Sequence, residues 1–357
     1  MVGRSTDETS PPSDEIEYTS GVLIIVNNGT VLVTGAGGFI GHHLTSYLVE
    51  RGYHVRGVDI KRPEYEPTQA HEFMLLDLRD WDNCLRAMQG VEDVYMLAAN
   101  MGGIGFIETY KADIVRDNTL INMHTLEAAR VMGAKRLFYS SSACIYPQYL
   151  QNTPDVTPLK EEDAYPADPE DGYGWEKLYT ERVCRHYTED YGLQTRVARF
   201  HNIYGPLGTY DGGREKSPAA ISRKVALAPD GGTIEVWGDG LQTRSYCYID
   251  DCVEGIYRLM QSDYQQPLNI GQDRMITINE LVDIVANAAG KTIYRQHDLT
   301  KPQGVRGRNS DNNHCKQVLG WSPQVSLETG LAQTYHWIHG ELVKAGRIQP
   351  KAELSAD

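Results

Sequence analysis

An α/β fold built on a doubly wound parallel sheet is what this sequence predicts, and three observations carry the prediction. Short apolar, β-branched runs alternate with stretches of helical periodicity through the first 200 residues, the pattern of βαβ units. The runs are continuous rather than strictly alternating, as strands covered on both faces are. A glycine string stands between the first run and the first helical stretch.

Each element follows from its residues. Residues 31–34, Val-Leu-Val-Thr, read as a short buried strand, and 43–51 have helical spacing. Residues 55–59 read as a second strand, 72–76 as a third and 93–98 as a fourth. Leu120, Met123, Leu126 and Ala129 recur near helical spacing across residues 118–132, and 136–140 form a fifth strand. From about His201 Gly, Pro, Arg and Lys cluster in irregular stretches such as GPLGTYDGGREKSP and KPQGVRGRNSDN. These predict a smaller C-terminal α/β substrate-binding domain that supplies loops. No internal repeat of about 20–50 residues is present.

Composition excludes several classes. A chain of 357 residues can bury a core without disulfide or metal staples. Its 34 Lys and Arg against 48 Asp and Glu give a formal net charge of −14, which disfavours binding to nucleic acid or acidic lipid. Any phosphate must therefore be held by local positive charge. No apolar run approaches the roughly 18 residues of a membrane helix, so no membrane association is expected. The polar opening, MVGRSTDETSPPSDEIEYTS, lacks a signal-peptide core. Residues 1–28 are expected to be a disordered tail, closing on an apolar run at 22–26 and the turn signal Asn27-Asn28-Gly29. Six scattered cysteines without a CxxC pair predict reduced thiols and a cytoplasmic setting. Eleven histidines without H-x-x-x-H spacing predict no metal site.

The glycine string carries the first chemistry. Gly35, Gly38 and Gly41 spell G-x-x-G-x-x-G between a strand and a helix, a Rossmann-type arrangement. Glycine permits the tight turn, lets a pyrophosphate reach backbone N–H groups such as those of Phe39 and Ile40, and lets the helix pack on the sheet. Asp59, at the end of the second strand, is placed to bind a ribose 2′-hydroxyl and to repel a 2′-phosphate. NAD is thereby favoured over NADP, although Lys61 and Arg62 pull the other way. Asp77 and Leu78 are expected beside the adenine, and Ala98 at the end of the fourth strand completes the cofactor contacts.

Tyr173 and Lys177 stand at i and i+4 and share a helix face. An ammonium beside a phenol stabilises phenolate, so the pair can take a hydroxyl proton while a hydride leaves the same carbon. Ser142, on the fifth strand, is expected to assist.

Taken with Leu97-Ala98-Ala99, residues 140–146 and Asn202-Ile203-Tyr204-Gly205-Pro206, all in this order, the chain from about residue 30 to 340 resembles the extended short-chain dehydrogenase/reductase superfamily, in the branch acting on nucleotide sugars. Dehydratases of that branch commonly read S-T-D-E-V-Y-G where this chain has Ser141-Ser142-Ala143-Cys144-Ile145-Tyr146-Pro147. Ala143 and Cys144 replace the eliminating acids, which disfavours a dehydratase. A simple 4-epimerase leaves Cys144 unexplained. Residues 101–106, 212–220, 237–245 and 306–312 resemble the members that act on GDP-mannose.

The resemblance implies NAD-dependent epimerisation of GDP-mannose at C3, C5 or both through a transient 4-keto sugar, giving GDP-L-galactose or GDP-L-gulose. Tyr173, Lys177 and Ser142 would serve C4, and Cys144 and Lys216 would be the acid/base pair at its neighbours. Substrate contacts would come from Gly102, Gly103, Ser142, Asn202, Glu215, Lys216, Lys224, Gln242, Arg244 and Arg306. Guanine rests on the likeness alone. A homodimer through residues 113–132 and 172–191 is also implied. The expected organisation is an NAD-binding domain over 29–200, to which 240–270 return, an interleaved cap over 201–345, and a tail over 346–357. Two alternatives stay open: an epimerase for another nucleotide hexose or a single carbon, and an NAD-binding regulatory protein without catalysis.

Overall fold

Residues 29–349 are described in a computed structural model of the protein. The run at 22–26, the tail over 1–28 and most of the tail over 346–357 lie outside the described residues.

β1 (Thr30–Thr34) leads through the glycine turn into α1 (Phe39–Glu50). The helix begins earlier than its periodicity suggests, because Gly38 takes the extended N-cap position and Phe39-Ile40-Gly41 form a first turn with no amphipathic signature. There follow β2 (His54–Asp59), β3 (Glu72–Leu75), α2 (Trp81–Ala87) and β4 (Val91–Met96). α2 is capped by Asp80, whose side chain accepts from Asn83 N at 3.1 Å. Next come α3 (Ile104–Thr109) and α4 (Lys111–Val131). The extra opening turns of α4, KADIVRD, place Ile114 and Val115 side by side among charged residues, so the apolar period starts well inside the helix. β5 (Arg136–Ser142) runs on through Ser141 and Ser142, α5 (Asp171–Tyr191) carries Tyr173 and Lys177, and β6 (Gln194–Phe200) returns to the sheet.

The remaining elements are β7 (Ile203–Tyr204), α6 (Ser217–Leu227), β8 (Gly232–Trp237), β9 (Thr243–Ser245), β10 (Cys247–Tyr248), α7 (Ile249–Gln261), β11 (Leu268–Ile270) and β12 (Met275–Thr277). α8 (Ile278–Ala289), β13 (Ile293–Asp298), β14 (Gly307–Arg308), α9 (Asn313–Leu319) and α10 (Leu327–Lys344) complete the described residues. α8 starts in a capping box: Thr277 Oγ1 accepts from Glu280 N at 3.0 Å, and Glu280 Oε2 from Thr277 N at 2.7 Å.

Seven strands form one parallel sheet in the order β11-β6-β5-β4-β1-β2-β3. The strand order reverses between β1 and β4, and ligands of such sheets bind in the crevice at that point. Thr34 Oγ1 ties the two strand ends together, accepting from both Leu97 N and Ala98 N at 3.1 Å.

Burial explains the continuous apolar runs. Val31 and Val33 point into one core with Leu44, Leu48, Ile256 and Leu259, while Leu32 between them points into another with Val94, Leu126 and Leu137. Either orientation is buried, so alternation would leave a polar side chain in apolar surroundings. Beyond the sheet, α6, α8 and α10 pack on one another through Val225, Leu281, Val285, Leu331 and Ile338, and β12-β9-β14 form a small separate sheet. Among the described residues no helix is long and apolar enough to cross a membrane, and no group of His, Cys, Asp and Glu could hold a metal ion.

Candidate active site

The glycine turn is a cradle with no spare volume. Gly35 has φ +72, and a Cβ there would stand 2.9 Å from Ala98 N. At Gly37 a Cβ would lie 2.1 Å from Lys61 O, and at Gly41 2.1 Å from Gly35 O. α1 has no side-chain cap and no acid in its first turn, so N–H groups at that end are free to meet an anion. Asp59 edges the cradle, its Oδ2 accepting from Gly37 N at 3.0 Å and its Oδ1 from Lys61 N at 3.1 Å. Burial pushes its carboxyl up against the pull of those backbone bonds. A cavity opens beside it, lined by Gly37, Gly38, Phe39, Lys61 and Tyr65. An open helix terminus, a glycine cradle and a fixed acid fit a dinucleotide. Asp77 is forked by Arg79, which holds its carboxyl below the usual range, and Leu78 is buried with its carbonyl accepting from Cys84 Sγ at 3.2 Å.

Across the strand ends, α5 presents Tyr173 and Lys177, both buried. Lys177 Nζ donates to Ser140 O at 3.0 Å and lies 5.7 Å from the centroid of the Tyr173 ring. Burial lowers the Lys177 ammonium and pushes the Tyr173 phenol well up, with a hydrogen bond to Ser142 opposing the latter. The helix is held in place through Glu176, which accepts from Asn118 Nδ2 at 2.9 Å and Asn122 Nδ2 at 3.0 Å on α4.

Cys144 follows β5 in a short 3₁₀ turn, with Ser142 Oγ accepting from its N–H at 3.1 Å. It packs against the cluster of Tyr173, Phe106 and Ile114. Its Sγ receives Arg308 Nη1 at 3.3 Å. The other Arg308 nitrogens are also spent: Nη2 donates to Glu170 Oε2 at 2.7 Å and Nε to Gln151 Oε1 at 2.6 Å. Burial raises the Glu170 carboxyl, but the charge and contact of Arg308 outweigh it and hold it below the usual range. Arg244 is half-enclosed by the same cleft, and burial with the neighbouring Arg308 brings its guanidinium down to about 10.

Lys216 caps α6 and reaches Cys144 by its field. It is open to the cleft yet surrounded by protein, and that surrounding lowers its ammonium against the raising influence of Cys144. Its position depends on two glycines. Gly103 N donates to Arg214 O at 3.0 Å, and a Cβ at Gly103 would stand 2.5 Å from Glu215 O. A Cβ at Gly102 would strike the Phe106 ring at 2.9 Å, and Arg214 lies 3.9 Å over that ring. The two loops therefore clasp and carry Lys216 toward Cys144.

The remaining expected residues are dispersed. Asn202, at φ +48, donates to Ser245 O at 2.8 Å. Gln242 is buried, donating to Trp237 O at 2.9 Å while its Oε1 lacks a partner. Arg306 is paired with Asp239 at 3.0 and 3.1 Å. Lys224 donates to Glu235 O at 2.8 Å, and Glu215 is paired with Arg223 at 3.0 Å. Sequence reasoning missed Arg308, Glu170 and Gln151. Arg308 sits in the segment singled out at 306–312, but its partner is 164 positions away and nothing local marks it.

Residues 31–271 match the profile of the NAD dependent epimerase/dehydratase family. The chain is 50% identical over 316 residues to GDP-mannose 3,5-epimerase 1 of Oryza sativa subsp. japonica, covering 88% of this chain and 82% of that one. A Thermotoga maritima UDP-glucose 4-epimerase solved with UDP-glucose superimposes with a TM-score of 0.79 at 28% identity, over 88% of this chain and 99% of that one. The Thermus thermophilus UDP-glucose 4-epimerase in complex with NAD gives 0.76 at 26% identity, over 87% and 99%.

Proposed function

We propose, from the premise that this chain belongs to the NAD dependent epimerase/dehydratase family and within it to the GDP-mannose 3,5-epimerases, that it inverts C3, C5 or both in GDP-mannose through a transient 4-keto sugar. The observation that carries the reading is the meeting of two sets of groups at one cleft: Tyr173, Lys177 and Ser142 for C4, and Cys144 with Lys216 for its neighbours.

The chemistry follows from acidity. A sugar C–H is not acidic, but beside a ketone its loss gives an enolate. The glycine cradle and Asp59 would hold NAD⁺, which would supply reversible hydride chemistry at C4, so that no outside oxidant is consumed. Tyr173 takes the C4 hydroxyl proton, Lys177 steadies the phenolate, and Ser142 holds the oxygen. Cys144 removes the proton from C3 or C5 on one face, and Lys216 returns one from the other. A lysine with a depressed pKa is the better proton donor near neutrality.

The cradle at Gly35, Gly38, Phe39, Ile40 and Gly41 would hold the pyrophosphate of NAD, with Asp59 on the ribose and Asp77, Leu78 and Ala98 toward the adenine. Gly102, Gly103, Asn202, Glu215, Lys224, Gln242, Arg244 and Arg306 would hold the nucleotide sugar. On this reading the cap over 201–345 is interleaved with the NAD-binding domain. The protein works as a homodimer, a reading supported by Leu120, Val131, Trp175, Tyr179 and Tyr191, large apolar side chains left exposed on α4 and α5, and in the cytoplasm, a reading supported by its six free cysteines. Product analysis with GDP-mannose tests the assignment: galactose- or gulose-configured products support it, and an unchanged substrate overturns it.

A further inference from the structure

We propose that Arg308, braced by Glu170 and Gln151, is a positioning residue that holds Cys144 as thiolate, the proton-accepting form; the inference rests on the reading of Cys144 as a base. Arg308 is 5% exposed. Each of its three nitrogens has one partner, and one of the three is Cys144 Sγ at 3.3 Å. Gln151 is itself locked, its Nε2 donating to the carbonyls of Tyr146 and Pro147 at 3.1 Å each. The guanidinium is thus fixed before substrate arrives, and an N–H aimed at sulfur is stronger when the sulfur is anionic.

Charge balance points the same way. The groups facing Cys144 are Arg308 on β14, Arg244 on β9, Lys216 at the start of α6, Glu170 just before α5, and Tyr173 and Lys177 on α5. A Cβ at Gly304 would stand 3.4 Å from Arg244 Nη2 and 3.6 Å from Glu170 Oε1, so both belong to one cluster. Two guanidinium groups face one carboxylate there; Glu170 also accepts from the Cys144 thiol, and once that proton has left, a thiolate supplies the missing negative charge. In the reaction the thiol proton has left to solvent beforehand. The S–H bond then forms as the sugar C–H breaks, and the C–H electron pair passes into the enolate.

Alkylation of the full protein by iodoacetamide across pH reads the thiolate directly, with Cys144→Ala as the background, since the other five cysteines are buried. Arg308→Gln should move the profile to higher pH and slow alkylation at pH 7 by about tenfold or more. Arg308→Lys should recover part of that loss. Glu170→Gln, which removes the opposing charge, should move the profile the other way. A purely structural role gives no such opposed pair of shifts. Profiles for Arg308→Lys and Glu170→Gln that superimpose on the wild type overturn the proposal, even should Arg308→Gln fail to fold. The underlying reading fails separately, if Cys144→Ala still exchanges sugar protons with solvent while the opposed alkylation shifts persist.

Discussion

Gly174 faces the carbonyl oxygen of Cys144 so closely that a Cβ built on it would stand 2.2 Å from that oxygen and 3.0 Å from Pro169 Cβ. The helix bearing Tyr173 and the turn bearing Cys144 are therefore in backbone contact, and the spacing between the two reacting side chains is set by the absence of one methyl group. Gly174→Ala should push α5 off the turn, destabilise the fold by about 1–3 kcal/mol and lower turnover more than NAD binding. Thermal melting together with NAD titration checks this. An alanine variant of wild-type stability and turnover would show that the contact is not limiting.

Division of labour in the cleft predicts separable losses. Tyr173→Phe should lose oxidation at C4, seen as absence of the transient reduced-cofactor absorbance on adding substrate. Cys144→Ala and Lys216→Ala should still show that absorbance while epimerisation falls by roughly 10²–10⁴-fold. Equal loss of both signals in all three variants would count against the assignment.

The Glu170 carboxyl ties stability to pH. Its folded pKa lies below the unfolded value of about 4.3, because Arg308 outweighs its burial. The unfolded state therefore binds the proton more readily. The pairing contributes its stability above that pH and loses it as pH falls through the folded value. Urea unfolding between pH 3 and 6 should show a steeper acid decline in the wild type than in Glu170→Gln. Parallel curves would contradict the pairing.

The exposed face of α4 and α5 should be covered in solution. Light scattering should give twice the mass of one chain, and Tyr179→Glu, a charge placed on a residue 56% exposed, should return it to one. Single-chain mass for the unaltered protein would remove the dimer.

Much of this site was legible before the fold. The glycine cradle, Asp59, and the Tyr173–Lys177 spacing are local patterns, and local patterns survive in a sequence. Residues buried on both sheet faces, such as Leu32 between Val31 and Val33, likewise announce a parallel sheet. What did not show was assembled from afar. Arg308 meets Glu170 across 138 positions, and Lys216 is brought to Cys144 by a glycine clasp between loops more than a hundred residues apart. Helix starts were missed for a different reason: the apolar side chains that open α1 and α4, Phe39-Ile40 and Ile114-Val115, are adjacent pairs that mark no helical period. Arg306, expected among the substrate contacts, is paired with Asp239, a partner that no spacing discloses.

The most direct test of the central claim is incubation of the protein with GDP-mannose in heavy water, followed by NMR of the sugar. The account predicts deuterium at C3, C5 or both, with galactose- or gulose-configured products and no label at C4, whose hydrogen returns from the cofactor. Label at C4, or a sugar that keeps every C–H proton and the manno configuration, would contradict it.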